Sequence, residues 1–181
     1  MHNEKTQNLV TISMFASIIV VLQVIATFIH FGAFPITLTL VPIIVAGAIY
    51  GVKMGSLMGF VFGMVVMIMV VVGADPSGAT MLNLHPVVTI TVCILKGTLA
   101  GFVSALIYDK LKEKNNKLAI ILAAAAAPIV NTTTLYITLI LFFDSTFAAL
   151  FSALISVNFI IELLINILLA PSLIRILEKR R

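Results

Sequence analysis

Six apolar runs separated by short polar stretches restrict this chain more than any other feature. They lie near residues 9–30, 37–52, 54–73, 86–109, 118–143 and 148–174. A helix needs about 20 apolar residues to cross the hydrocarbon core of a bilayer. Backbone groups in lipid must be bonded internally, so such runs form helices or closed barrel strands. These runs are far longer than barrel strands and lack period-two alternation, which leaves helices. The second run is short at its cleanest, Leu38 to Gly51, and either tilts little or begins in the loop before it. Six spans nearly use up 181 residues, so no soluble catalytic domain fits beside them. The expected architecture is an all-α integral membrane protein: residues 1–181 as a single six-helix membrane domain. Composition agrees, with 61% hydrophobic and 10% charged residues and a mean hydropathy of +1.22. Soluble chains average about 25% charged residues. The first run lacks a small-residue cleavage site and is expected to be a retained span.

The basic residues set the direction of the spans. Lys5, Lys53, Lys110, Lys112, Lys114, Lys117, Arg175, Lys179, Arg180 and Arg181 all flank apolar runs. With both termini cytoplasmic, all ten fall on the inner side. The opposite loops carry His30, Asp75, His85 and Asp144 but no Lys or Arg. That is the positive-inside pattern, and a five- or seven-span arrangement would break it. The net charge of +4 is therefore a topology signal, and no nucleic-acid partner is expected. The chain reads as a multi-pass protein of a bacterial plasma membrane, with the bilayer as its solvent.

Small residues mark the faces where helices meet. Gly47, Gly51, Gly55, Gly59 and Gly63 recur every fourth residue, and Gly97 and Gly101 repeat the spacing in span four. Such stripes let helix backbones approach closely in lipid. Span one carries a second stripe, Ser13, Ala16 and Ser17, near its cytoplasmic end, a candidate docking face for another membrane subunit.

Polar groups inside apolar spans are costly and point to function. Lys96, the eleventh basic residue, lies about 15 Å in from the outer end of span four. Asn131 lies about 20 Å up from the inner end of span five, and Asn158 about 16 Å in from the outer end of span six. One cation and two amides thus reach similar depths from three helices. Thr132 and Tyr136 extend the Asn131 group outward; Glu162 and Asn166 extend the Asn158 face inward at a spacing of four. Two roles are open to Lys96: pairing with Glu162, or meeting a carboxylate on a small solute in a pocket that opens outward. The outer loops are candidates to close that pocket. The first contributes Phe34 and Thr37; the third, residues 73–85, is rich in turn residues and contributes Asn83 and His85. Pro128 is expected to kink or break span five.

Enzyme chemistry is not expected. The chain has no G-x-S-x-G elbow, no H-E-x-x-H and no phosphate loop. Its histidines are scattered at positions 2, 30 and 85, and Cys93 has no spaced partner, so neither a metal nor another cofactor is assigned.

Several segments resemble a known family. Pro35 to Gly47, running on into Tyr50-Gly51-Val52-Lys53-Met54-Gly55 and Gly59-Phe60-Val61-Phe62-Gly63, is similar to the second and third spans of the S components of energy-coupling factor (ECF) vitamin transporters. Lys96-Gly97 with Gly101 resembles their fourth span. Pro128-Ile129-Val130-Asn131-Thr132 resembles a fifth-span motif, and Asn158-Phe159-Ile160-Ile161-Glu162 with Asn166 and Pro171 a sixth-span motif, of one subgroup. The overall pattern is most like the pantothenate-type subgroup. The resemblance implies a substrate-binding subunit of an ABC-type importer. Such a subunit captures a vitamin from outside under its first loop and works with a transmembrane coupling subunit and two ATPase subunits. The family carries an A-x-x-x-A docking motif where this chain has Ser13 and Ser17. Hydroxymethylpyrimidine or pyridoxine is the alternative substrate. A stand-alone secondary transporter and a membrane scaffold are the alternatives of other classes.

Overall fold

The computed structural model describes residues 2–28 and 38–179. Among these residues it is all helix: α1 (His2–Phe28), α2 (Leu40–Tyr50), α3 (Val52–Val71), α4 (Pro76–Leu84), α5 (Pro86–Leu111), α6 (Asn116–Phe142) and α7 (Ser145–Glu178). Phe34 and Thr37, with the rest of the first outer loop, lie outside the described residues.

Among the described residues, five helices are long and apolar enough to cross a membrane: α1, α3, α5, α6 and α7. The second run of the sequence forms only the 11 residues of α2, about 16 Å at 1.5 Å per residue. Its residues are apolar all round, which is the pattern of a helix enclosed by protein. Leu40 to Gly47 are indeed buried without exception. Helix α2 is therefore a core element packed against α3, α5, α6 and α7.

Around it the usual soluble arrangement is turned inside out. Helix α7 shows this along its length. Asn158, Glu162, Asn166, Ala170 and Ile174 are buried, while Ile160, Leu164 and Leu168 on the other face are exposed, Leu168 by 69%. Polar groups face inward and large aliphatic groups outward, as expected where lipid is the solvent.

Helix α5 is the central strut, in extensive contact with α3 on one side and α6 on the other. The glycine stripes explain how it sits so close to α3. A methyl group at Gly55 would stand 2.8 Å from the Gly101 carbonyl oxygen, and one at Gly97 would stand 2.5 Å from the Gly59 oxygen. Any side chain there would push the two backbones apart. Gly51 serves differently. Its φ of +90° turns α2 into α3 within one residue, a conformation that only glycine reaches without strain.

Helix α6 runs unbroken through Pro128, so the break expected there does not occur. Proline leaves the carbonyl four residues earlier without its partner. Next to that gap, Ser104 Oγ of α5 donates to the Ala123 carbonyl at 2.9 Å. The carbonyl left without its helical partner is that of Ala124, and the Ser104 bond to its neighbour ties α5 to α6 beside it.

The segment between α3 and α5 departs furthest from expectation. Residues 76–84 form α4. Asp75 caps it, its Oδ1 accepting from Gly78 N at 3.1 Å, and Pro76 occupies the first helical turn. The Asp-Pro pair suits this, because an N-cap carboxylate satisfies a free N–H and proline has none to satisfy.

The chain ends of the helices gather at two poles. At one pole Glu178 of α7 accepts from Tyr108 of α5 and, at 3.0 Å, from Asn116 of α6. At the other, the His85 ring meets Phe143 edge-on at 5.0 Å, and Phe147 and Phe151 continue the stack.

Candidate substrate-binding site

Polar residues from four helices and the start of α4 converge on one cavity. Gln23 of α1, Lys96 of α5, Asn131 and Thr132 of α6, and Asn158 and Glu162 of α7 all line it, as does Asp75 at the start of α4. Phe62 and Val66 of α3, with Leu135, Ile155 and Phe159, complete the wall. It leaves about 60 Å³ for the centres of water-sized atoms.

Each polar side chain is held by its helix. Asn158 and Glu162 are one turn apart on the inward face of α7, each 5% exposed. The next turn steadies them: Asn166 Nδ2 donates to the Glu162 carbonyl oxygen at 2.7 Å. Asn131 and Thr132 lie one turn beyond Pro128 on α6 and are buried. Gln23 accepts from Thr39 Oγ1 at 2.9 Å, tying α1 to the residue that precedes α2.

The side chain of Asn131 has an open valence. Its Oδ1 is buried and has no hydrogen-bond partner among the described residues. A buried polar atom left open is uncommon and costly, of the order of 1–3 kcal/mol. Facing a cavity, it is positioned to receive a donor from a bound solute.

The charges balance differently from the expectation built on Lys96 alone. The cavity wall holds one ammonium, Lys96, and two carboxylates, Asp75 and Glu162. Lys96 and Glu162 share that wall; on the surface, Lys112 pairs with Asp109 at 2.6 Å. A lining of this kind suits a solute with both features: a carboxylate to meet the ammonium, and hydroxyl or amide hydrogens to donate to carboxylate and amide oxygens.

Other candidates lie elsewhere. Tyr136 does not line the cavity; its hydroxyl donates to the Ser152 carbonyl and adjoins Ser156 Oγ, both at 2.7 Å, in the contact of α6 with α7. Asn83 is exposed on α4, and His85, also exposed, links α4 to α5 and packs on Phe143. Ser13 and Ser17 are exposed on α1, with Ala16 half-buried between them; Ser17 Oγ donates to the Ser13 carbonyl at 2.8 Å. Gln23 and Asp75 are additions. Gln23 carried a signal as a lone amide within an apolar span, and Asp75 carried one in its Asp-Pro pair.

Comparison with known proteins gives two matches. The model of the family described as ECF transporter, substrate-specific component, matches residues 7–174. The pantothenic acid transporter PanT of Lactococcus lactis subsp. cremoris (strain MG1363) is 26% identical over 196 aligned positions, which cover 100% of this chain and 98% of that protein.

Proposed function

The chain belongs to the substrate-specific components of ECF transporters, and from that membership we propose that it captures pantothenate outside the cell for delivery across the membrane. The observation that carries the choice is the cavity where Lys96, Asn131, Asn158 and Glu162 meet inside a bundle with an apolar exterior. Pantothenate is a small anion with one carboxylate, one amide and two hydroxyls. In this proposal Lys96 binds the carboxylate, the open Oδ1 of Asn131 accepts from the solute's amide or a hydroxyl, and Glu162 accepts from a hydroxyl. The end-to-end alignment with a protein named as a pantothenic acid transporter supports the same solute.

The proposed topology has six crossings and both termini inside, with α2 in the second. In support, the α5–α6 turn and the end of α7, held together through Glu178, carry Lys110, Lys112, Lys114, Lys117, Arg175 and Lys179. Lys53 shares a groove with Thr11 near the start of α1. This basic pole is the cytoplasmic one by the positive-inside rule. The aromatic pole at His85 and Phe143 then faces outward.

Energy comes from partners in this proposal. A transmembrane coupling subunit docks on α1 at Ser13, Ala16 and Ser17, and two ATPase subunits drive it. The test of the substrate is the melting temperature of the purified protein against a panel of B vitamins and precursors. Pantothenate alone is expected to raise it, because a ligand that binds only the folded state stabilises by mass action. A shift with hydroxymethylpyrimidine or pyridoxine in its place would overturn the substrate, and no shift with any compound would overturn the binding role.

A further inference from the structure

The space around Lys96 continues beyond the polar cavity. A second chamber lies beneath α4 and shares Val66, Asp75, Lys96 and Leu135 with the first. It leaves about 40 Å³ for atom centres. The residues it adds are mainly apolar: Val70, Met81, Val92 and Cys93. Val92 and Met81 are each 3% exposed. Thr89 also lines it, but its hydroxyl is spent on the His85 carbonyl at 2.9 Å.

The shared wall argues that the two chambers are used together. Val66, Asp75, Lys96 and Leu135 line both, so a solute held at the Lys96 head also adjoins the apolar chamber.

Chemistry divides the solute in the same way. Pantothenate is polar at its acid end, while its other end carries a carbon with two methyl groups, flanked by hydroxyls. Resting on the pantothenate reading above, we propose that the vitamin lies across both chambers. Its carboxylate and amide sit in the polar chamber, and its dimethyl carbon sits in the apolar chamber beneath α4. Val92 is the residue that sets the preference for that branched group. Lys96 suits the shared wall because its stem is aliphatic and its head is charged, so one side chain can line an apolar and a polar space. Asp75, on the same wall, caps α4 through Oδ1 and keeps further lone pairs for a hydroxyl beside the branch.

The test is a titration of the purified full-length protein with pantothenate and with the analogue that lacks both methyl groups. The wild-type protein is expected to bind the analogue on the order of tenfold more weakly, since two buried methyls are lost. Val92→Phe fills the apolar chamber and is expected to weaken pantothenate binding more than tenfold. Val92→Ala leaves that wall open and is expected to narrow the preference for pantothenate over the analogue to a few-fold; it decides the matter if Val92→Phe does not fold. Equal binding of both compounds by the wild type, pantothenate binding unchanged in Val92→Phe, or a full preference retained in Val92→Ala would each overturn the two-chamber site. Those results leave pantothenate binding itself intact. Absence of any pantothenate binding by the wild type would instead remove the functional reading on which this one rests.

Discussion

Lys96 and Asn131 carry the heaviest demands on single side chains. Lys96 is the cation among the cavity-lining residues, and Asn131 presents a buried oxygen with no partner among the described residues. Hydrogen bonds to charged groups contribute about 1.5–3 kcal/mol. Lys96→Ala is therefore expected to weaken pantothenate binding at least tenfold by calorimetric titration, and Asn131→Ala by several-fold to tenfold. Unchanged affinity in both variants would place the solute elsewhere. These residues were legible in the sequence because a polar group in an apolar span is expensive enough to need a reason. Depth counting also brings Asn158 to the same level, with Glu162 one turn further inward, since helix rise is regular. The same counting does not tell which way a side chain turns. Tyr136 belongs to the Asn131 group by spacing, yet its hydroxyl bonds to α7 at Ser152. Gln23 was passed over because it stands alone in its span, without neighbours to mark a face.

The helices themselves were largely readable, and their exceptions have local causes. Long apolar runs gave α1, α3, α5, α6 and α7, because in lipid no other open structure satisfies the backbone. Helix α4 was read as a loop because residues 73–85 are crowded with Gly, Pro, Ser and Asn. Those residues mark turns only when nothing caps them, and here Asp75 does. Helix α6 does not break at Pro128, and local sequence cannot show that Ser104 of α5 bonds to the Ala123 carbonyl there. The glycine stripes make the firmest expectation at this scale. Gly97 and Gly59 approach so closely that a methyl at Gly97 meets the Gly59 oxygen at 2.5 Å. Gly97→Leu forces backbone rather than side chain to move, and overpacking of this kind costs about 1–3 kcal/mol or more. It is expected to lower the melting temperature clearly, whereas Phe102→Leu, on an exposed position of α5, should not. Equal melting temperatures for Gly97→Leu and wild type would mean that α3 and α5 are not in contact along this stripe.

The whole molecule is a membrane bundle with its polarity inside, a polar cavity toward one pole and the basic residues at the other. Family membership was legible from the ordered set of weak segment resemblances, and the match over residues 7–174 bears it out. Partner contacts were less so, because small residues four apart serve both internal packing and docking. The structure separates the two uses in one respect: the glycines of α3 and α5 are buried against each other, while Ser13 and Ser17 are exposed on α1. Ser13→Trp with Ser17→Trp is therefore expected to abolish co-purification with a coupling subunit while leaving pantothenate affinity within about twofold, since surface changes away from a site are usually small. Retained co-purification would move the docking face off α1.

Titration of the purified protein with pantothenate, wild type beside Lys96→Ala, tests the proposed binding in the Lys96 cavity. The expected result is saturable binding at one site per chain in the wild type, weakened at least tenfold in a Lys96→Ala protein that remains folded. Saturable binding that Lys96→Ala leaves unchanged would place the solute elsewhere, and no binding to a folded wild-type sample would remove pantothenate as the solute.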